Sequence, residues 1–325
     1  LMHERLYGLG LSRGALFHAL YGALAPAGVE VALGVTVQAI DGDRVVAEDG
    51  ARLGPFDLVV VADGARSRLR TSLGHAHRDD EYPWGAFWFM AKDEARDFRG
   101  ELFQAVSGAH TMFGLLPTGT TPADPTPRVS LFASVRLDQV DRMRARGLQA
   151  LAEDAVALEP RMARVFAQIT DFDELLVASY RDVRLPRLDF GRVVYVGDAA
   201  HAMSPQLGQG SNLALLDALA LGDAMRAHGE LALALPAYSR ARRSQLAFYQ
   251  WMTRLLTPFF QGDSRTLGVL RDVFMPIASR TPILRGQMVA TMCGVKRGIV
   301  RPSLSVPPSL LAAPGRALAP RLEIP

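Results

Sequence analysis

The stretch that most constrains this chain is VVYVGDAAHAMSPQLGQGSNLALLD, residues 193 to 217. Its four leading apolar residues, Val193 to Val196, read as a buried strand that stops at Gly197 and meets an acid at once, Asp198. Gly208 and Gly210 bracket Gln209, and an apolar helical pattern begins just after Asn212. An acid at the carboxyl end of a parallel-type strand lies where α/β sheets bind ligands. A carboxylate only accepts hydrogen bonds, which suits the hydroxyls of a sugar or sugar alcohol. The glycines let a flat ligand approach the backbone. The free N–H groups of the helix start favour negative charge at the same place.

Each of these residues alone reads equally well as an ordinary turn or loop position. Together they suit a ligand with a polyol arm and a planar ring that gains negative charge, and reduced flavin is such a ligand. Composition permits this and narrows the rest. A chain of 325 residues can bury a sizeable core and divides naturally into two domains. The net charge of +3, without a Lys/Arg-rich block, gives no reason to expect nucleic acid as a partner. The single cysteine, Cys293, excludes an internal disulfide framework and a CxxC pair, which fits a reducing compartment and a cytoplasmic location. No apolar run is long enough for a membrane span, and no signal peptide is read at the start. The opening Leu1-Met2 enters a helical pattern almost at once, like a sequence picked up in mid-domain.

Ser12 is a candidate cap for a helix carrying Leu16, Leu20 and Leu24, which Pro26 and Gly28 would close. VEVAL (29–33) and VTVQAI (35–40) read as strands, with Asp-Gly turns after them as in short β-ribbons. DLVVV (57–61) reads as a strand covered on both faces. From about residue 82 the pattern changes: WGAFWFMA, TMFGLL and RVSLFASVRL are strand-like, and the last sets Val129, Leu131, Ala133, Val135 and Leu137 on one face. TGTTPADPTP (118–127) reads as a loop. A helical stretch broken at Pro160 precedes the strand ELLVASYRDV, and a helix from about Asn212 to Arg226 follows the strand at 192–196. The remainder reads as helical, punctuated by Pro258, Pro276 and Pro282, with a poorly ordered tail after Pro302.

VGDAAHAMSPQLGQGSNLALLDA resembles the second flavin motif of the FAD-dependent aromatic hydroxylases, the single-component NAD(P)H-dependent monooxygenases. The resemblance implies that Asp198 holds the ribityl chain and that Pro205 lies along the flavin. It also implies that Gly208, Gln209, Gly210, Ser211 and Asn212 face the pyrimidine edge. DLVVVADGARSRLR resembles the family's Asp-Gly motif, with Asp63, Gly64, Ser67 and Arg70 in matching places. The family uses that segment near the pyrophosphates of both FAD and NAD(P)H. LSRGALFHAL resembles an Arg-x-x-Leu helix start whose arginine, here Arg13, approaches the cofactor, and Val37 matches a strand whose backbone meets the adenine. The likeness runs over roughly residues 5 to 250.

The implied fold is α/β: an FAD-binding domain of the aromatic-hydroxylase type with an inserted β-rich substrate domain and a helical C-terminal extension. The segments expected are 1–76 and 188–247 for the flavin domain, 77–187 for the substrate domain, and 248–325 for the extension and tail. The implied cofactor is FAD, with NAD(P)H as co-substrate. Oxygen would add at the flavin C4a, and the hydroperoxide would pass one atom to an aromatic or lipophilic small molecule. The cofactor carries that chemistry, so no catalytic side chain is named. A same-fold epoxidase or reductase of a lipophilic substrate, and an FAD-free inactive relative, remain alternatives; the disulfide reductases do not, since they need a cysteine pair. The family's opening βαβ unit with GxGxxG is lacking: Gly8, Gly10 and Gly14 follow no strand and have the wrong spacing. That portion is expected to lie before Leu1.

Other constellations carry less. His75, His77, Asp79 and Asp80 suggest a metal but lack further ligands, so a polar loop and no metal are expected. His201 receives no proton-transfer role, and Cys293 reads as a buried thiol. Phe87, Trp88 and Phe89 suit a substrate pocket and a core equally. The Met, Phe and Trp residues of 248–292 read as helix packing, with a pocket lining or peripheral membrane contact as alternatives.

Overall fold

The computed structural model describes residues 8–299 apart from Ala76, Arg99 and Pro122; Leu1-Met2 and the tail after Pro302 lie outside the described residues. Ser12 caps α1 (Arg13–Gly22) as its position predicts, its hydroxyl accepting from the Ala15 N–H at 3.1 Å. The helix buries none of its residues, and Phe17 and Leu20 stand exposed. VEVAL forms no strand. Val29, Val31 and Leu33 face solvent, because a strand needs a hydrogen-bonded neighbour and none of the described strands lies beside them. β1 (Val37–Asp41), β2 (Arg44–Ala47) and β3 (Arg52–Leu53) make the antiparallel ribbon that the Asp-Gly turns predict. In β4 (Val59–Val61) only one face is covered, Val61 being 2 % and Val60 45 % exposed. This corrects the expectation of cover on both faces: β4 is the edge of its sheet. Ser67 caps α2 (Arg68–Ser72) just beyond it.

The middle of the chain forms a five-stranded antiparallel sheet. Its strands are β5 (Arg78–Lys92), β6 (Phe103–Ser107), β7 (Thr111–Thr121), β8 (Asp124–Arg136) and β9 (Leu176–Arg184), in the order β6-β7-β8-β5-β9. TGTTPADPTP is not a free loop. Thr121 pairs with Asp124 to close a tight hairpin, and Pro125 and Pro127 fall where the register slips, so neither interrupts a regular ladder. α3 (Val140–Leu158) and α4 (Met162–Phe166) part near Pro160 and cover one face of the sheet. There Phe87, Leu115, Leu131, Ala133 and Val135 are buried, as the alternation predicts. The period of two then puts Trp88, Met90, Leu116 and Phe132 on the opposite face.

β10 (Asp189–Phe190) turns antiparallel into β11 (Val193–Tyr195), and β11 pairs in parallel with β4. Five helices follow: α5 (Asp198–His201), α6 (Gly210–His228), α7 (Leu231–Phe260), α8 (Arg265–Arg280) and α9 (Pro282–Met292). α6 starts two residues before the Asn212 expected. Pro258 and Pro276 sit inside α7 and α8 and do not end them, whereas Pro282 opens α9, where its missing N–H costs nothing. α7 crosses residues 247 and 248 without interruption. Val194, Tyr195, Leu213, Leu235, Tyr238 and Tyr249 form the core between β11 and the helices α6 and α7.

Candidate functional site

The site is built on two parallel strands. Val61 pairs with Tyr195, and the Val196 N–H donates to the Val61 carbonyl at 3.1 Å. The Asp63-Gly64 turn and the Gly197-Asp198 turn therefore leave the same carboxyl edge of one sheet. Gly197 takes φ 58°, a conformation open to glycine, and its N–H donates to Asp217 at 2.8 Å. Asp198 then opens α5 with its carboxylate exposed and without a hydrogen-bonded partner among the described residues. A Cβ placed on Gly210 would meet Asp198 Oδ1 at 3.8 Å and nothing else, so the carboxylate stands beside the start of α6. No side chain caps α6 and no acid lies in its first turn, so its N–H groups and the positive end of its dipole stay available. Pro205 and Gly208 are exposed on the loop between, Gly208 at φ 61° with open space where a Cβ would be.

Asp198 thus stands beside Gly210 at the start of α6, which carries Ser211 and Asn212, and Pro205 and Gly208 lie on the loop between. The cradle fits a flavin nucleotide: an unpaired hydrogen-bond acceptor, two glycines with room above them and an uncapped helix start. Gln209 is different. Its side chain is buried, donating to the Met292 carbonyl at 2.7 Å and accepting from Asn212 Nδ2 at 2.9 Å. Gly294 closes on the same spot, its Cβ position only 1.9 Å from Asn212 Nδ2. The chain beyond α9 therefore backs the cradle, which no motif announces.

Asp63 is exposed and Gly64 half-buried at φ 85°. Burial, and next the Asp63 charge, push the Tyr195 phenol up to about 12. Arg70, which matches the family's Asp-Gly motif, is fully buried. It donates to the carbonyls of Ala199 at 2.8 Å and Ala65 at 2.9 Å, and pairs with Asp79 at 2.5 Å. It ties the two turns together from inside. Arg13 stands exposed at the start of α1, and Val37 opens β1 half-buried against the core. Of the metal-like set, His75 stacks on Phe190 with Nδ1 3.0 Å from the Tyr195 hydroxyl, and Asp79 holds Arg70 and Arg181.

Sequence reasoning missed the bracing behind the cradle. Asp217, in the middle of α6, accepts from His201 Nε2 at 2.5 Å, from Arg242 Nε at 2.6 Å and from Gly197. Burial alone would raise its pKa, but the bond from His201 and the charges around it outweigh burial and hold it below the ordinary carboxylate value. The signal was available: an acid inside the apolar run NLALLDALAL must find a cation. Gly10 was missed as well. Its Cβ position lies 2.0 Å from the Pro117 carbonyl and 3.2 Å from Leu116, so the Gly8–Gly10 loop rests on the face of the middle sheet that carries Trp88.

A parallel pair ending in two acid turns, beside an open helix start, defines an α/β protein with a ligand-binding edge at the carboxyl ends of its strands. Residues 29–245 match the family model described as the FAD binding domain, and the chain belongs to that family, of the aromatic-hydroxylase type. It is 29 % identical over 239 residues to a probable 2-heptyl-3-hydroxy-4(1H)-quinolone synthase, AqdB2 of Rhodococcus erythropolis, covering 72 % of this chain and 60 % of that protein. Over a shorter 62 residues it is 50 % identical to a kynurenine 3-monooxygenase of Xanthomonas euvesicatoria pv. vesicatoria, covering 19 % of this chain and 14 % of that protein. Among solved structures it resembles Klebsiella pneumoniae HpxO complexed with FAD and uric acid, with a TM-score of 0.69 at 24 % identity over 87 % of this chain and 72 % of that one. The chain spans about 60 % of the length of the curated relatives that match it over most of its own length.

Proposed function

We propose that the whole protein is an FAD-dependent monooxygenase that uses NAD(P)H and O2 to hydroxylate an aromatic or other electron-rich, lipophilic small molecule. The observation that carries this reading is the meeting of the unpaired Asp198, the open glycines 208 and 210 and the uncapped start of α6 at one sheet edge. Bound FAD, reduced by NAD(P)H, supplies the activation of O2 and the insertion of one oxygen atom into substrate. The chain's residues do the holding. Asp198 accepts hydrogen bonds from the ribityl hydroxyls, and Pro205 sets one wall of the ring's slot. The N–H groups at Gly210, Ser211 and Asn212 stabilise negative charge on the pyrimidine edge. Asp63, Gly64 and Arg13 face the rest of the cofactor, and the Val37 backbone meets its adenine end. The Trp88, Met90 and Phe132 face of the middle sheet supplies an apolar wall that keeps water from the reacting atoms. The relatives named for a quinolone and for kynurenine support a ring-bearing substrate, and the heptyl chain of the first supports a lipophilic one.

Replacing Asp198 by Ala removes a charged acceptor, worth about ten- to a hundred-fold in FAD affinity. Titration of flavin fluorescence with the whole protein reads this directly. Unchanged affinity in Asp198→Ala would sink the cradle assignment. Product analysis under labelled O2 tests the reaction itself: one labelled atom in the product is expected, and none would mean an enzyme that only moves hydride.

A further inference from the structure

α8 leaves most of its large apolar side chains in solvent. Its inner face is narrow and is anchored by one charge: Arg271 is buried, donating to the carbonyls of Gly108 at 2.9 Å and Phe259 at 3.0 Å and lying over the Phe260 ring. Gly268 and Ala278 share that inner face, and Gly268 is pressed against the turn between β6 and β7. The apolar side is turned out. Val269, Leu270, Val273, Phe274 and Ile277 recur at helical spacing, and each is between 52 % and 63 % exposed. Ile283, at the start of α9, extends the strip at 77 % exposure. Among the described residues nothing covers it, and single-helix strips of five large exposed side chains do not persist on soluble monomers without a use.

Charge says what the strip meets. Arg265, Arg280 and Arg285 stand exposed around it, and none is in an ion pair with a described residue. From Val273 to Leu322 the sequence holds no Asp or Glu. The two nearest acids, Asp263 and Asp272, are taken up by Arg136 and Arg271. A protein partner would leave these arginines needing specific acids, whereas an anionic lipid surface satisfies both the apolar strip and its basic rim. No described helix is long and apolar enough to cross a membrane, so the helix would lie in the interface and not span it.

We propose that the α8–α9 hairpin docks this protein onto an anionic membrane surface, with Val269, Val273, Phe274, Ile277 and Ile283 entering the acyl boundary and Arg265, Arg280 and Arg285 meeting headgroup phosphates. The end of α9 takes a hydrogen bond from Gln209 at the Met292 carbonyl, and Gly294 lies against Asn212, so the hairpin that carries the docked face also backs the cradle. A lipophilic substrate would then reach the cradle from the membrane.

The test is co-sedimentation of the whole protein with vesicles of 30 mol % phosphatidylglycerol in phosphatidylcholine, against pure phosphatidylcholine, without any need for FAD or turnover. The expected result is binding to the anionic vesicles at least ten-fold tighter than to the neutral ones, weakened by 0.5 M NaCl. Each arginine removed in Arg280→Ala and Arg285→Ala should cost about five-fold, and Phe274→Asp with Val273→Asp should abolish sedimentation. Circular dichroism confirms that these surface variants fold. Wild-type protein left in the supernatant with anionic vesicles overturns the proposal. So does a dimer that Phe274→Asp dissociates while vesicle binding is absent, which would give the face to a second copy. Loss of FAD binding in Asp198→Ala with vesicle binding intact separates the two readings.

Discussion

Asp217 is wholly shielded from water, yet three hydrogen-bond donors converge on its two oxygens. A buried carboxylate in that position is held by its partners and strands them when it goes. Asp217→Asn leaves the Arg242 charge buried without a counter-ion, which costs about 3–5 kcal/mol, read as a fall in the urea midpoint at pH 7. The pH dependence follows from the same group. Its folded pKa lies below the unfolded one, so its contribution is complete above roughly pH 4 and lost as pH falls through the folded value. The gap between wild type and Asp217→Asn should therefore close in acid; an equal gap at pH 7 and pH 2.5 contradicts the assignment. The residues proposed to touch ligand and those that brace them differ in how they are read from sequence. Asp198, Gly208 and Gly210 stand in one local pattern whose chemistry can be named. Asp217, His201 and Arg242 are 16 and 25 residues from one another along the chain and meet only through the packing of three helices.

One glycine decides how two elements meet. Gly294 sits at φ 76° with its Cβ position against Asn212, so the chain beyond α9 can close on the cradle only without a side chain. Gly294→Ala adds positive-φ strain of about 1–2 kcal/mol and a clash, and it should lower both the melting temperature and FAD affinity. Arg271→Ala, which frees α8, should lower melting temperature alone. Equal loss of flavin affinity in both variants would mean that the hairpin acts as one block on the cradle. The elements themselves were legible where periodicity is long: Val129 to Val135 alternate, and all four inward side chains are buried. They were misread where a strand's existence depends on a neighbour, as at VEVAL, and where prolines fit a slipped register, as at Pro125 and Pro127. Phe87, Trp88 and Phe89 show the limit of composition: three adjacent aromatics, and the pleat alone sends Phe87 to the core and Trp88 to the opposite face of the sheet.

At the scale of the molecule, apolar surface is unevenly hidden. Phe17 and Leu20 on α1, Val29 to Leu33 and Val60 on the β4 edge are all exposed among the described residues. An unpaired strand edge beside such a surface invites association. The 325-residue chain on its own should bind a hydrophobic dye strongly and self-associate at micromolar concentration, measured by light scattering; a dye-silent monomer would show this surface to be covered in solution. The flavin class was legible from two short motifs, whereas the middle sheet matched its relatives only in layout, because a wall of apolar side chains carries no local code.

The parallel pairing of Val59–Val61 with Val193–Tyr195 sets a clock. During synthesis β4 emerges 134 residues before its partner (193 less 59), roughly 7 to 27 s at ordinary elongation rates. The strands of the five-stranded sheet, residues 78 to 184, are all made before β11 arrives. Throughout that interval the first acid turn has no partner turn beside it. On the proposed reading, the two turns can share a flavin only once β11 and the start of α6 have been made.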